Sequence, residues 1–445
     1  MVELSNIMES YPRSGIRVMF ELAKKYPDAI ALTLGQPNFD TPQFIKDAAI
    51  ESLQGGLTGY VSNGGLPELR QAIAEQYTKR FGRPFTENNV MIAAGGMEAL
   101  FLALVAYINP GDEIIVPDPG YPNYLGQIAL LRGKAVPVPL REEFGFQLQP
   151  EDLEAAITPK TKAVFINYPS NPTGAFINKE TLMKLAEIAK KHNIMVVSDE
   201  VYEHIVYDGN ECFSMAQIPG MEQNVIITNS FSKTYAMTGW RLGYVVADEA
   251  LVKQMPQLQE ALISCVPGFI QMAAVAAIRD GKDAISEMVT HYERRRNIMV
   301  DGLNAIPGVK CFRPQGAFYA FANIKSFGKS SFDFAQELLT GAGVVCVPGS
   351  AFGEMGEGYI RFSYANSDEN LKEALRRMDA LRRPAPETPR EAPPQTQRKL
   401  FKPLYRNSVF PARRLESAAD VEAYVAQIRK QLLAYLQGGD GIDLK

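Results

Sequence analysis

The sequence predicts an α/β protein with a mostly parallel central sheet and a second, smaller α/β domain after it. Two observations carry that expectation. From Lys46 onward, short runs rich in β-formers alternate with longer amphipathic runs, the pattern of βαβ units. Near Gly281 the rhythm changes to one long charged run, 283–303, followed by mixed short elements as far as Arg383. The chain is long enough to build both. Its 445 residues, 46% of them hydrophobic, bury sizeable cores and exclude disorder as the main state.

Taken in order, residues 1–45 are too short for a domain and read as an arm packed on one or both of the domains after it. The large domain spans 46–281, with expected strands at 90–93, 113–116, 135–138, 163–167, 194–198, 225–228 and 244–246. Helices are expected between them: 97–108 comes after a glycine pair, and 179–191 repeats apolar residues at helical spacing. Residues 282–383 make the smaller domain. Beyond it Pro384, Pro386, Pro389, Pro393 and Pro394 crowd together, so 384–397 reads as an extended linker. Residues 398–445 hold a stretch with Arg398, Lys399, Lys402, Arg406, Arg413 and Arg414 and no acid, then an amphipathic helix over 417–437. That tail is expected to dock on another protein or an acidic surface, to fold back on the rest of the chain, or to be a dispensable fusion remnant.

Charge and composition narrow the function. Lys and Arg number 46 against 50 Asp and Glu, a net charge of −4, which gives no long-range pull on nucleic acid or anionic lipid. No 18-residue apolar stretch appears, so no membrane span is expected. The first residues lack the basic start and apolar run of a signal peptide. Cys212, Cys265, Cys311 and Cys346 are scattered, which fits a reducing, cytoplasmic setting. His192, His204 and His291 have no metal-ligand spacing.

The most specific stretch is Ser230-Phe231-Ser232-Lys233-Thr234-Tyr235-Ala236-Met237-Thr238-Gly239-Trp240-Arg241-Leu242-Gly243. It comes after an expected strand, so Lys233 lies just past a strand's carboxyl end, where open α/β sheets hold ligands. A lone lysine there is ordinarily solvated. Flanked by Ser230 and Ser232 and followed by Arg241, it suits a Schiff-base lysine beside a phosphate site. Asp199 ends the strand before it, and an acid in an apolar sheet asks for a facing cation such as a protonated pyridine nitrogen. Asn171 sits in the Pro-bounded turn Asn167-Tyr168-Pro169-Ser170-Asn171-Pro172-Thr173-Gly174. The turn Ala94-Gly95-Gly96-Met97 opens a helix, whose free N–H groups attract an anion.

In order and spacing these segments resemble the class I/II aminotransferases of fold type I, which use pyridoxal 5′-phosphate, and among them the bacterial aspartate and aromatic branch. The matching motifs are the Asn-Pro-x-Gly turn, Asp199-x-x-Tyr202, the Ser-x-Ser-Lys run ending at Arg241, and Ile360-Arg361-Phe362-Ser363. The likeness covers residues 1–383. It implies that Lys233 forms the Schiff base and shuttles the substrate's α-proton, while Asp199 keeps the ring nitrogen protonated. Tyr202 and Asn171 would hydrogen-bond the ring's 3′-oxygen, and Tyr121 would stack on the ring. Gly96, Met97, Ser230, Ser232 and Arg241 would surround the phosphate. Arg361 would grip the α-carboxylate, with Asn171 and Gly35 also close to the substrate. Tyr60 would reach the phosphate of a neighbouring subunit, which implies a homodimer with shared sites.

The expected reaction is transfer of an amino group from an L-amino acid to a 2-oxo acid, 2-oxoglutarate being the expected acceptor, by a ping-pong path. In some aspartate-selective relatives a lysine comes directly after the glycine pair. Met97 stands here and offers a second carboxylate no charge, which favours neutral, apolar or aromatic donors, while dual specificity stays open because another basic residue could serve. A C–S β-lyase of the same fold would share Lys233, Asp199 and Arg361 and differ only in its products. A pyridoxal phosphate-binding regulator would bring a DNA-binding module ahead of Ser10, and none is legible there.

Overall fold

The computed structural model describes residues 15–382 continuously, with Ile7, 402–404, 442–444 and helical positions 422, 425, 426, 429 and 430. The chain forms two compact units, Met1–Arg383 and Pro384–Lys445. The proline-rich stretch 384–397 and most of the basic stretch lie outside the described residues.

The strands, in chain order, are β1 (Ile30–Ala31), β2 (Val90–Ala93), β3 (Glu113–Asp118), β4 (Lys134–Pro139), β5 (Thr161–Asn167), β6 (Met195–Asp199), β7 (Val225–Ser230) and β8 (Gly243–Val246). Then come β9 (Lys310–Cys311), β10 (Tyr319–Asn323), β11 (Val344–Val345), β12 (Val347–Pro348) and β13 (Tyr359–Ser363). In the second unit β14 (Lys402–Leu404) and β15 (Ile442–Leu444) pair in parallel. From sequence, only a basic stretch and a helix are expected there. Pro403 within β14 suppresses the strand signal.

Seven strands make the central sheet, in the order β2-β8-β7-β6-β5-β3-β4. β8 runs antiparallel to both of its neighbours, and the other pairs are parallel. β2, β6, β7 and β8 are buried along their whole length, as a sheet covered by helices on both faces requires. On one face the helix Gly96–Val105 brings Ala99, Leu102 and Ala103 against Met91, Phe165 and Val245. On the other, Leu182, Leu185 and Ala189 of the helix Lys179–His192 pack on Val164, Val196 and Ile227. Asn178 caps that helix by accepting from Thr181 N at 2.8 Å, and Asn193 ends it in the left-handed conformation.

A second core lies under the four-stranded antiparallel sheet β12-β13-β10-β9, against the long helix Lys282–Ala305 and the helix Asp368–Arg382. The arm is stitched to this part. β1 pairs in parallel with β11, Leu32 N donates to Val345 O, and Ser363 N donates to Leu32 O. Among the described residues no helix is long and apolar enough to cross a membrane, and no acid, histidine or cysteine cluster has the makings of a metal site.

Candidate active site

The parallel strands of the central sheet end along one edge. Asn167 of β5 pairs with Asp199 of β6, and Asp199 with Thr228 of β7. Because β8 is antiparallel, it starts where β7 stops, Ser230 opposite Gly243 and Gly243 opposite Ala93 of β2. The chain therefore leaves the sheet at Ser230 and returns to the same edge at Gly243, with Lys233 and Arg241 on the loop between. A cavity of about 370 Å³ opens above this edge. Of the residues singled out from sequence it is lined by Gly35, Gly96, Met97, Tyr121, Asn171, Asp199, Tyr202, Ser230, Ser232, Lys233, Arg241 and Arg361. Tyr60 is not among them. It stands 92% exposed between the helices Gln43–Gln54 and Pro67–Phe81.

Asp199 is buried, and burial pushes its carboxyl up to about 6 against the hydrogen bonds that hold it down. Its Oδ2 accepts from Tyr124 OH at 2.6 Å, whereas its Oδ1 has no partner among the described residues. A buried, orphaned carboxylate oxygen facing a cavity fits a cationic N–H arriving with a ligand. Tyr124 is fixed by stacking on Phe165, ring centroids 4.3 Å apart. Asn167 reinforces the corner: its Nδ2 donates to Asp199 O at 3.0 Å and its Oδ1 accepts from Asn171 N at 2.9 Å.

Lys233 lies in the short helix Phe231–Thr234, capped by Ser230 Oγ, which accepts from Ser232 N. Its Nζ donates to Gly35 O of the arm. Burial, helped by the Arg361 and Arg241 charges, brings its amine down to about 8, with Asp199 pulling the other way. That is the range in which an amine both attacks a carbonyl and carries a proton. Gly35 also lets Tyr319 pack close to the arm, since a Cβ there would sit 2.5 Å from Tyr319 OH.

The anion end is built from backbone and one guanidinium. Gly95, at φ 85°, precedes the helix Gly96–Val105, and no side chain caps that terminus among the described residues. A Cβ on Gly95 would lie 2.6 Å from Arg241 Nη2, and one on Gly243 would lie 2.5 Å from Gly95 C. Only glycines let the helix start, the returning strand and Arg241 crowd so closely. Ser230 Oγ lies 2.8 Å from Ser232 Oγ, adding hydroxyl donors. Helix N–H groups, hydroxyls and a guanidinium together suit a phosphate.

Arg361 occupies the middle of β13, between Phe321 of β10 and Val347 of β12. It is 2% exposed, its guanidinium 4.5 Å from the Tyr319 ring and 4.8 Å from the Phe352 ring. Nη1 donates to Asn171 Oδ1 at 2.9 Å and Nη2 to Thr33 O at 2.6 Å, leaving Nε without a partner among the described residues. A carboxylate would satisfy it. Opposite, Tyr121 OH donates to Met97 Sδ at 3.6 Å and accepts from Asn123 Nδ2 at 2.9 Å. Tyr202 OH lies 2.8 Å from Tyr319 OH.

Sequence reasoning misses Tyr124, Asn167, Tyr319 and Thr33 as members of this site. A signal for Tyr124 exists: it stands three residues after Tyr121 at a helix start, so both project to the same side.

The family model for aminotransferase class I and II matches residues 27–378, and the model for the BrxC C-terminal alpha-beta domain matches residues 402–445. An aspartate aminotransferase of Pyrococcus horikoshii is 45% identical over 369 residues, 82% of this chain and 94% of that protein. Aromatic-amino-acid aminotransferase 2 of Thermococcus litoralis is 44% identical, covering 85% of this chain and 98% of its own. The crystal structure of an aromatic aminotransferase from Pyrococcus horikoshii superposes with a TM-score of 0.78 at 42% identity, over 82% of this chain and 98% of the other.

Proposed function

This chain belongs to the class I and II aminotransferases and is a pyridoxal phosphate-dependent transaminase, and from that premise we propose that it carries the amino group of a neutral or aromatic L-amino acid to a 2-oxo acid such as 2-oxoglutarate in a ping-pong cycle run by Lys233. The observation that carries the donor preference is the charge inventory of the cavity. Its cationic lining residues are Lys233, Arg241 and Arg361, each with a task in the shared chemistry, and Met97 adds none. A donor's second carboxylate finds no spare cation in this set, and the distal carboxylate of 2-oxoglutarate would have to be met by a basic residue outside it.

In this reading residues 1–45 act as an arm that brings Gly35 to the substrate, 46–281 hold the cofactor and 282–383 supply Arg361. Bound pyridoxal phosphate supplies an aldehyde that takes up amines and a ring that accepts the electron pair left when the substrate's α-proton departs. Lys233 Nζ would hold the cofactor at that aldehyde, and the same amine, freed when the donor takes its place, would take up and return the donor's α-proton. Asp199 Oδ1 holds the proton on the ring nitrogen, supported by the lack of any other partner for that oxygen among the described residues. Tyr202 OH and Asn171 Nδ2 donate to the ring oxygen, and Tyr121 covers one ring face. Arg241, Ser230, Ser232 and the N–H groups of Gly96 and Met97 bind the phosphate. Tyr60, exposed on its own chain, serves the phosphate of a second copy, which makes the working form a homodimer. Cytoplasmic residence fits the four free thiols.

A donor screen tests the reading. With 2-oxoglutarate as acceptor, kcat/KM for phenylalanine or tyrosine is expected to exceed that for aspartate by about 100-fold or more, the worth of one desolvated, unpaired charge at the cavity wall. Products must be a 2-oxo acid and a new amino acid. Release of pyruvate and ammonia instead would mark an elimination enzyme, and a preference for aspartate would overturn the donor assignment.

Arg361→Lys is expected to raise KM for every donor by about 30- to 100-fold, since replacing a planar fork with a point charge forfeits about 2–3 kcal/mol of paired hydrogen bonding. The cofactor's visible band stays where it was, because Arg361 acts on the amino acid. An unchanged KM would remove Arg361 from the carboxylate site.

A further inference from the structure

We propose that Asp118 is a positioning residue that couples the aromatic wall of the cofactor pocket to the arginine that holds the amino acid's carboxylate. The inference rests on the roles proposed for Tyr121 and Arg361, and goes beyond them by naming what keeps the two in step.

Asp118 is the last residue of β3, 8% exposed, at the sheet edge that carries the site. Both of its carboxylate oxygens are committed to one short segment far along the chain. Oδ2 accepts from Glu354 N at 3.1 Å and Oδ1 from Met355 N at 3.0 Å. Two residues after Asp118, Gly120 N donates to Phe352 O at 2.8 Å. Between the bonded positions Gly353 adopts φ 129°, and a Cβ there would lie 2.0 Å from Asp118 Oδ1. The backbone is thus folded tightly over the carboxylate at a position only glycine tolerates.

Each end of this clamp leads directly into the site. On the β3 side the next residue after Gly120 is Tyr121, whose ring forms one wall of the cavity. On the other side Phe352 is 3% exposed with its ring against the Arg361 guanidinium. A carboxylate is the group the geometry needs, because both adjacent partners are N–H donors and it offers two acceptors with no proton of its own. An amide in its place turns one acceptor into a donor facing an N–H. The clamp therefore fixes the distance between the ring wall and the carboxylate anchor, which is the distance a bound amino acid must span to present its Cα to Lys233.

The test uses the holoenzyme of the full chain, titrated with phenylalanine in the absence of any oxo acid while the cofactor's visible band is monitored. This gives an apparent Kd and a limiting rate for one half-reaction. For Asp118→Asn the Kd is expected to rise about tenfold, as the loss of one charge-assisted bond and its replacement by a repulsion implies. The band of the amino acid-free form also moves to a new maximum, since Tyr121 is held by the same clamp. Glu354→Pro keeps Asp118 and removes one of its donors at the first position of a 3₁₀ turn, where proline is tolerated. It is expected to raise the Kd about threefold. Both variants are compared well below their unfolding temperatures, where a loss of stability alone moves neither readout. A Kd within about twofold of wild type and an unmoved band in Asp118→Asn would overturn the coupling. So would a raised Kd there with none in Glu354→Pro. A wild-type holoenzyme whose band ignores every amino acid would instead overturn the functional reading, and this inference with it.

Discussion

Replacing Lys233 by alanine is expected to abolish amino transfer, lowering kcat by about 10⁴-fold or more, because one side chain supplies both the covalent attachment and the proton carrier. Binding of the cofactor survives. In the proposed assignment the phosphate end is held by Arg241, Ser230, Ser232 and the start of the helix Gly96–Val105, none of which the substitution removes. Borohydride treatment followed by mass spectrometry separates the two effects: wild type gains the cofactor's mass on the peptide containing Lys233, and the variant gains none while retaining releasable cofactor. Full activity in the variant, or a colourless wild type, refutes the assignment. The amine's position near 8 adds a pH signature. Its uncharged fraction grows as pH rises through that value, so capture of free cofactor by the apoprotein accelerates from about pH 7 to about pH 9 and then levels off.

Asp199→Asn is expected to lower kcat by about 10³-fold, or about 4 kcal/mol, as removal of the charge that faces a buried cation does. KM for the donor changes little, because Arg361 remains in place. The same substitution should stabilise the cofactor-free protein. A carboxyl raised from its ordinary value to about 6 by burial disfavours folding increasingly as pH rises from about 4, and in full above about 6. With the group neutral, about 2–3 kcal/mol of that cost disappears at pH 7, and the gain shrinks as pH falls from about 6 toward about 4. Thermal unfolding of apoprotein across that interval measures it. A variant that loses activity and stability together would mean that Asp199 is structural.

The central sheet is legible in the sequence because its strands are short apolar runs separated by amphipathic ones. The expected strand at 90–93 coincides with β2, and 244–246 differs from β8 by one residue. The direction of β8 is not legible, since nothing local distinguishes a strand entered from a short loop from one entered after a helix. Residues whose chemistry depends on a local motif, such as Lys233 after Ser232 or Asn171 between prolines, stand out from sequence. Those that act through contacts distant along the chain do not. Tyr319 reaches Tyr202 across 117 positions, and Thr33 O meets Arg361 across 328. Phe352 and Asp118 meet only when two sheets are assembled. Tyr60 reads as a site residue by motif, yet on one chain it stands alone in solvent. Helical positions 422, 425, 426, 429 and 430 lie within the expected tail helix, and of its apolar face only Val425 is among the described residues.

The reversal at β8 also bears on how this chain can diverge. Ser230 and Gly243 are paired across the sheet, so the residues between them form a closed loop that must deliver an amine and a guanidinium to opposite ends of one small molecule. Adding or removing a single position there would carry Lys233 and Arg241 out of step. Insertions in connections that carry no cavity residue only lengthen a surface excursion, whereas the turns holding Gly96, Tyr121 and Asn171 share the constraint. Descendants of this sequence should therefore vary in length at the far edge of the sheet before they do so between 231 and 242.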